Sequence, residues 1–437
     1  MIGTVETVVA VDEEGIFLNG WASDVRSQDR IRLTDPTGGS TEVELGQRFA
    51  RPDVAAMAGT DELHGFTALA PLPPGPLQRS NLRLEIEGPA GPKLTLEIPD
   101  PIVDPTQGRR HVLSLLELIK VSDRFMVGHV YPAVERLNRR IAEGLGVKEI
   151  ADHGPVPSSA DVSIVVPIFG RLDLVTPQIA LFARDPEINA AELVLVLDSP
   201  ELEDELLELT HHLHELYRLP MRVVVLRRNS GFGNSSNFGV EHSSSPLVLL
   251  LNSDVFPDEP GWLSKLTGVY RTGEVAAVGP KLLFEDGSLQ HAGMYFERDP
   301  VSRQWQNLHF HKGMPSVLPA ANVERRVPAL TAACLLVGRD DFTAIDGFDP
   351  AYVHGDYEDS DLCLRLHESG RECRYVPSVE LYHPERQSFA ESISKPGGSG
   401  HMIYNRWLFT HRWGQRIESL MEEYSSELPL TQPAASQ

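Results

Sequence analysis

Four short stretches carry side chains that could do chemistry. In PLVLLLNSDVFPD, 246–258, five apolar residues run straight into Asn252, Ser253 and Asp254. A hard divalent cation such as Mg2+ or Mn2+ takes carboxylate oxygens and bridges to phosphates. An Asp at a strand end, beside two small polar side chains, leaves room for that bridge. The competing reading is a turn or helix-capping Asp before FPDEPGW. In HGDYEDSDLCLRLHESG, 354–370, Asp356, Glu358, Asp359 and Asp361 crowd the start of an amphipathic helix that Gly370 ends. The helix dipole favours an anion there by ~0.3–1 kcal/mol, which accounts for one or two acids as caps. Four exceed that need, and a carboxylate kept ionised at a helix start can act as a general base toward a hydroxyl.

The third stretch is LYHPERQSF, 381–389, where His383 follows an apolar run. A lone His is more often structural, but imidazole is a good ligand for Mn2+-like ions beside an Asp-held cation. The fourth is RRNSGFGNSSNFGV, 227–240. Its glycines, at 231, 233 and 239, fit neither a GxGxxG fingerprint nor a P-loop. They still let a helix start approach a ligand, and Asn229 and Asn237 could hydrogen-bond a base or ribose. The alternative is a glycine-rich turn that caps a helix.

These stretches need elements to hold them. Residues 1–105 read as a β-rich accessory domain of sandwich-like type, with short strands separated by turns such as DPTGG and GPAGP. Its aromatics, in GIFLNGWASDV and LHGFTALAPL, read as core, against a glycan-binding face. Residues 106–155 show helical spacing and read as a helical linker. From 156 to 415 apolar strands alternate with helices, which predicts an α/β domain with a mostly parallel central sheet. Ligands in such sheets sit beyond the carboxyl ends of the strands. Those ends fall at 167–170, 198–199, 229–233 and 252–254. Residues 416–437 read as a C-terminal helix and tail. The insert 298–328, with Trp305, His309 and His311, has few periodic signals and reads as an acceptor lid.

The chain has 437 residues and a net charge of −23, which argues against a nucleic-acid partner. Three scattered cysteines make no disulfide framework. No apolar run reaches the ~18 residues that span a membrane, and the N-terminus lacks a charged signal region. The chain therefore reads as cytoplasmic, with peripheral association at the inner face of the membrane left open.

Together the motifs resemble a family 2 glycosyltransferase with the GT-A fold, of the bacterial rhamnosyltransferase-like kind. The resemblance covers roughly 161–390 and seven segments in order: VSIVVPIFGRLDLV, Asp198, NSGFGNSSNFG, LLLNSDV, GPKLLFEDGSLQHAG, ALTAACLLVGRDDFTAIDGFDPAY with YEDSDLCLRL, and YHPERQS. The sequence departs from the pattern at Phe169 (Tyr is usual), Gly170 (Asn), Ala332 (Gly) and Asn252 (the first Asp of D-x-D).

The resemblance implies an inverting transfer of a sugar from a nucleotide-diphosphate-sugar donor to a glycan or lipid-linked glycan acceptor, in bacterial cell-surface polysaccharide synthesis. It implies Asp254 and His383 at a divalent metal, Mg2+ or Mn2+. Asp359 is implied as the base, with Glu358 and Asp361 orienting acceptor or loop. Pro167, Phe169, Asp198, Asn229, Gly231, Asn237, Asn252 and Ser253 would line the donor pocket. Gln290 and His291 would face the sugar or acceptor. Two other readings compete: a non-catalytic sugar- or nucleotide-binding protein on a decayed transferase, and a nucleotidyltransferase.

Overall fold

The alternating N-terminal stretches fold as strands because period-two burial puts one face of each on a core. The computed structural model describes residues 2–23, 25–26, 28–58, 64–73, 81–157, 159–273, 275–384 and 399–424. The chain divides into two compact units, Met1–Gly144 with Ile393–Tyr404, and Leu145–Ser392 with Asn405–Gln437.

In the first unit the strands are β1 (Gly3–Ala10), β2 (Gly15–Ala22), β3 (Arg30–Thr34), β4 (Ser40–Glu42), β5 (Gln47–Phe49), β6 (Gly65–Pro71), β7 (Arg83–Gly88) and β8 (Gly91–Glu97). They make two antiparallel sheets, β1-β2-β6-β5 and β4-β3-β7-β8. Val5, Ile16, Leu18 and Phe66 of one share a core with Ile31, Leu33, Leu84 and Leu96 of the other. Phe17 and Phe66 are buried and Trp21 is half-buried, so these aromatics serve mainly as core.

The helices expected as a linker are α1 (Pro105–Ser114) and α2 (Tyr131–Ala142). Asp104 caps α1 by accepting from the Gln107 N–H at 2.8 Å. They pack onto the first unit: a Cβ on Gly108 would lie 2.5 Å from Val9, and the Arg140 guanidinium donates to the carbonyls of Ala10 and Val11. The linker reading also misses β9 (Val147–His153), which is a strand of the second unit. Its alternation is faint because one edge strand exposes both faces.

The remaining strands are β10 (Val162–Ile168), β11 (Glu192–Leu197), β12 (Met221–Leu226), β13 (Leu247–Leu251), β14 (Phe256–Pro257), β15 (Val275–Leu283), β16 (Leu289–His291), β17 (Met294–Arg298), β18 (Trp305–His309), β19 (Arg325–Val327), β20 (Cys334–Gly338) and β21 (Glu372–Tyr382). The large sheet runs β14-β21-β15-β20-β13-β10-β11-β12-β9. It is mixed rather than mostly parallel. Strands β13, β10, β11 and β12 form a parallel block, while β9, β14 and β20 pair antiparallel with their neighbours. An apolar run does not encode strand direction, so β20 reads in sequence like any buried strand.

Helices α3 (Val175–Phe182), α4 (Glu203–Tyr217) and α5 (Phe232–Glu241) connect the parallel block, followed by α6 (Trp262–Tyr270), α7 (Glu358–His367) and α8 (Gly400–Glu423). Gly239 lets α5 lie on the sheet, since a Cβ there would meet Val165 at 2.3 Å. That glycine serves helix–strand packing, not approach to a ligand. The insert 298–328 is ordered by the hairpin β17–β18. Trp305, expected on a lid, is buried; its carbonyl accepts from the Tyr357 hydroxyl at 3.3 Å and its N–H donates to Thr410 Oγ1 at 2.8 Å.

Candidate active site

The carboxyl ends of β10, β11 and β13 lie side by side, because the three strands are parallel neighbours. After β10, half-buried Pro167 and exposed Phe169 lead to Gly170 at φ +69°, whose N–H donates to Ser199 Oγ at 2.9 Å. After β11 comes Asp198. One of its oxygens accepts from the Ser230 N–H (2.6 Å) and Ser230 Oγ (2.8 Å). The other accepts from the Gly231 N–H (2.9 Å) and Asn229 Nδ2 (3.2 Å). Burial still pushes the Asp198 carboxyl up to about 6, against those donors. Asp198 therefore fastens the Asn229–Gly231 turn, and Gly231 begins α5 at φ +86°.

Asn237 departs from the expected role. Its amide donates to the Phe348 carbonyl and accepts from the Phe348 N–H, both at 2.9 Å. It clasps backbone within the fold instead of offering its amide to a nucleotide.

Asp254 and His383 meet, with Nε2 3.3 Å from Oδ1. The cause is local pairing: β14 begins two residues after Asp254, and its Phe256 pairs with Tyr382, the residue before His383. The His383 N–H is itself fixed by the Leu283 carbonyl at 2.8 Å. Gln178, which the sequence did not single out, is buried and donates to the carbonyls of Asn252 and Val255, both at 2.9 Å. It shapes the Asn252–Ser253–Asp254 turn. A carboxylate oxygen and an imidazole nitrogen this close fit adjacent positions on one six-coordinate cation with bonds of about 2.1 Å. His383 Nδ1 is buried without a partner. Among the described residues no group of three His, Cys, Asp or Glu side chains converges as a metal cage, so phosphate or water would complete the shell.

The second half of the site starts at α7. Asp359 accepts from the Ser360 N–H at 2.6 Å and from Ser360 Oγ at 3.3 Å, and the Ala332 N–H and Thr331 hydroxyl beside it also favour its charged form. Burial nevertheless raises its carboxyl above the ordinary range. Glu358 is buried and raised much further, by burial first and then by the Asp359 charge. Asp361 is held on every side. Its oxygens accept from Trp413 Nε1 (2.8 Å), the Tyr352 hydroxyl (3.2 Å) and Arg365 Nε (2.8 Å), with 1% of the side chain exposed. It is a buried strut between α7 and α8.

The turn before α7 is strained: His354, Asp356 and Tyr357 all have positive φ, at 66°, 82° and 74°. Asn405 holds it. Its Nδ2 donates to the carbonyls of Val353 (3.1 Å), Gly355 (2.9 Å) and Asp356 (3.1 Å), and its Oδ1 accepts from the Val353 N–H (3.0 Å). Arg406 Nε donates to the Tyr357 hydroxyl at 3.1 Å. Nothing in the sequence around Asn405 announces this role.

One two-residue stretch borders both halves. The Asn252 N–H donates to the Ala333 carbonyl at 2.9 Å, while the Ala332 N–H beside Asp359 favours the charged form of its carboxyl. Gln290 and His291 are buried at β16. His291 Nδ1 lies 2.9 Å from His309 Nδ1, and burial with the nearby His309, His383, Arg325 and Lys312 charges holds its imidazole neutral. Five buried atoms without a hydrogen-bond partner fall on expected site residues: Asn252 Oδ1, Gln290 Oε1, His291 Nε2, Glu358 Oε2 and His383 Nδ1. Each such atom costs ~1–3 kcal/mol, which a polar ligand recovers.

Residues 163–318 match the family model described as Glycosyl transferase family 2. An uncharacterized protein, y4gI, of Sinorhizobium fredii is 30% identical over 238 residues, which cover 54% of this chain and 25% of that one. The O-antigen biosynthesis protein RfbC of Myxococcus xanthus is 30% identical over 244 residues, covering 54% and 18%. The chain thus spans a quarter or less of the length of these relatives. Among solved structures, that of GalNAc-T7 with UDP, GalNAc and Mn2+ overlaps with a TM-score of 0.40 at 14% identity, covering 61% of this chain and 54% of the other.

Proposed function

Since residues 163–318 match the family model described as Glycosyl transferase family 2, we propose that the protein is an inverting glycosyltransferase on a GT-A fold. It moves a sugar from a nucleotide-diphosphate-sugar to a hydroxyl of a glycan or lipid-linked glycan, in cell-surface polysaccharide synthesis. The observation that carries this reading is the meeting of Asp254 and His383, with Nε2 3.3 Å from Oδ1, at the carboxyl end of β13.

Asp198, Asn229, Gly231, Pro167 and Phe169 form the edge on which the nucleoside lies. Asn252 and Ser253 border the diphosphate. Asp254 and His383 would hold a divalent cation, Mg2+ or Mn2+, which when bound neutralises charge on the leaving diphosphate. Asp359 accepts the acceptor hydroxyl proton as that oxygen attacks the anomeric carbon. Its partial burial supports this role, since a carboxylate raised above its ordinary range is a better base. Gln290 and His291 offer neutral hydrogen-bonding groups to a sugar. The donor is hexose or deoxyhexose, following the rhamnosyltransferase-like motifs. No helix among the described residues is long and apolar enough to cross a membrane; we place the protein in the cytoplasm, with peripheral contact to the membrane that carries its acceptor.

A screen of nucleotide-diphosphate-sugars for binding and transfer tests the proposal. Asp359→Asn should bind the donor found with unchanged affinity and lose at least about 10²-fold in transfer, the lower end for a removed base. Near-normal transfer by that variant removes the base assignment.

A further inference from the structure

The segment 298–328 takes no part in the reaction as proposed, yet its strand β18 reaches the base. The period of two along β18 puts Trp305, Asn307 and His309 on one face. The Trp305 carbonyl accepts from the Tyr357 hydroxyl at 3.3 Å, and the Trp305 N–H donates to Thr410 Oγ1 at 2.8 Å. His309 Nδ1 lies 2.9 Å from His291 Nδ1. Between these anchors Asn307 pairs with Phe296 of β17. Asn307 is thus carried on a strand fixed at both ends, and its Nδ2 donates to Ser360 Oγ at 3.2 Å. Ser360 is fully buried. Its hydroxyl and its N–H both donate to Oδ1 of Asp359, at 3.3 Å and 2.6 Å.

A hydroxyl has one proton to give and two lone pairs with which to accept. A serine in a helix often gives that proton back to the carbonyl three or four residues earlier. For Ser360 those carbonyls belong to Tyr357 and Asp356, and they already accept from the Asp361 N–H and from Asn405 Nδ2. With the Asn307 amide on one lone pair of Oγ, the proton is directed to Asp359. Resting on the reading of Asp359 as base, we propose that Asn307 is a positioning residue that acts through the Ser360 hydroxyl to fix the rotation of the Asp359 carboxylate. The strand expected to cover the acceptor instead sets the group that takes the acceptor's proton.

Carbon-13 NMR of protein labelled at its aspartate carboxyls tests this with no ligand present. The Asp359 resonance is the one missing from Asp359→Asn. It should move in Asn307→Ala and in Ser360→Ala, and adding Asn307→Ala to Ser360→Ala should move it no further. Transfer from the nucleotide-diphosphate-sugar found in the screen gives the second readout. Each single variant should lose about tenfold in kcat with the donor KM unchanged, and the double variant also about tenfold, where independent losses would multiply to about a hundredfold. A role of Asn307 in holding the hairpin alone would persist in the Ser360→Ala background. An unmoved resonance in Asn307→Ala, or effects that add in the double variant, overturns the proposal. Should an alanine variant not fold, Asn307→Leu, which keeps the bulk and removes the donor, decides by whether the Asp359 resonance moves. Failure of the base reading looks different: Asp359→Asn would transfer at the parental rate while the resonance still responds to Asn307 and Ser360.

Discussion

Asn405→Ala separates the geometry of the site from the stability of the fold. The side chain is fully buried and makes four hydrogen bonds to the 353–356 backbone. At about 1 kcal/mol net per bond these contribute about 4 kcal/mol. Against them stand three non-glycine residues in left-handed conformation, His354, Asp356 and Tyr357, at about 1–2 kcal/mol each. The two sums are of the same size. Without the clasp, the turn can relax toward ordinary backbone and recover most of its strain. The net loss of stability is then about 1–2 kcal/mol, a few degrees in Tm for a unit of this size. The start of α7 moves with the turn, and Glu358 and Asp359 are its first two residues. A shift of about 1 Å at a reacting group costs about 10²-fold. The expected result is a transfer kcat reduced about 10²-fold or more, a Tm lower by only a few degrees, and an unchanged affinity for the nucleoside diphosphate by calorimetry. Transfer within threefold of the parent would refute the argument. So would a collapse in Tm that carries nucleotide affinity down with it, because the clasp would then hold the whole unit and not the turn.

The other expectations concern the donor side. Asp254→Asn and His383→Ala should each weaken Mn2+-dependent binding of the nucleoside diphosphate by at least about tenfold, while metal-free binding stays as in the parent; calorimetry with and without chelator reads the difference, and equal affinities would dissolve the Asp254–His383 cation site. Asp198 has a folded-state value of about 6 against an ordinary 3.8, so the folded protein binds more protons in that window and loses stability as pH rises through it. Relative to Asp198→Asn, which does not titrate, the parent should lose about 1 kcal/mol of unfolding free energy between pH 5 and 7 in urea titrations; parallel curves would mean that burial does not perturb this carboxyl.

Legibility followed from whether a role is written in local pattern. The strand 247–251 and its polar tip are contiguous, so Asp254 and the direction of its chain are plain in the sequence. The acids at 356–361 show as a cluster, but their roles do not. Asp361 became a strut only through Trp413 and Tyr352, partners 52 and 9 residues away. Asn237 looked like a ligand group because asparagine after a glycine-rich turn suits a ribose, and Phe348, 111 residues on, claimed it. Gln178 and Asn405 carry no pattern at all, since one amide on a helix announces nothing until the backbone it will hold is in place. The mixed sheet was hidden for the same kind of reason. Alternation and apolar runs encode which faces are buried, whereas direction is fixed by connections.

The spacing between the two halves of the site is set by a sheet register and not by loop length. Strands β13 and β20 are antiparallel, with Leu251 opposite Cys334. The Asn252 N–H reaching the Ala333 carbonyl extends that ladder by one step, and the next residue back, Ala332, presents its N–H to Asp359. The Asp359 side of the site is thereby placed by counting residues back from β20, which pairs with the strand that leads to Asp254. A slip of one residue would exchange Leu335 and Val337 with Leu336 between the two faces of β20, both of them buried, so close packing on each side opposes it. The same continuity explains why the Asn252 side chain need not bear charge for the turn to hold. Its backbone N–H and C=O are committed to Ala333 and Gln178, and the side-chain oxygen, buried and unpaired, is left to whatever the site binds.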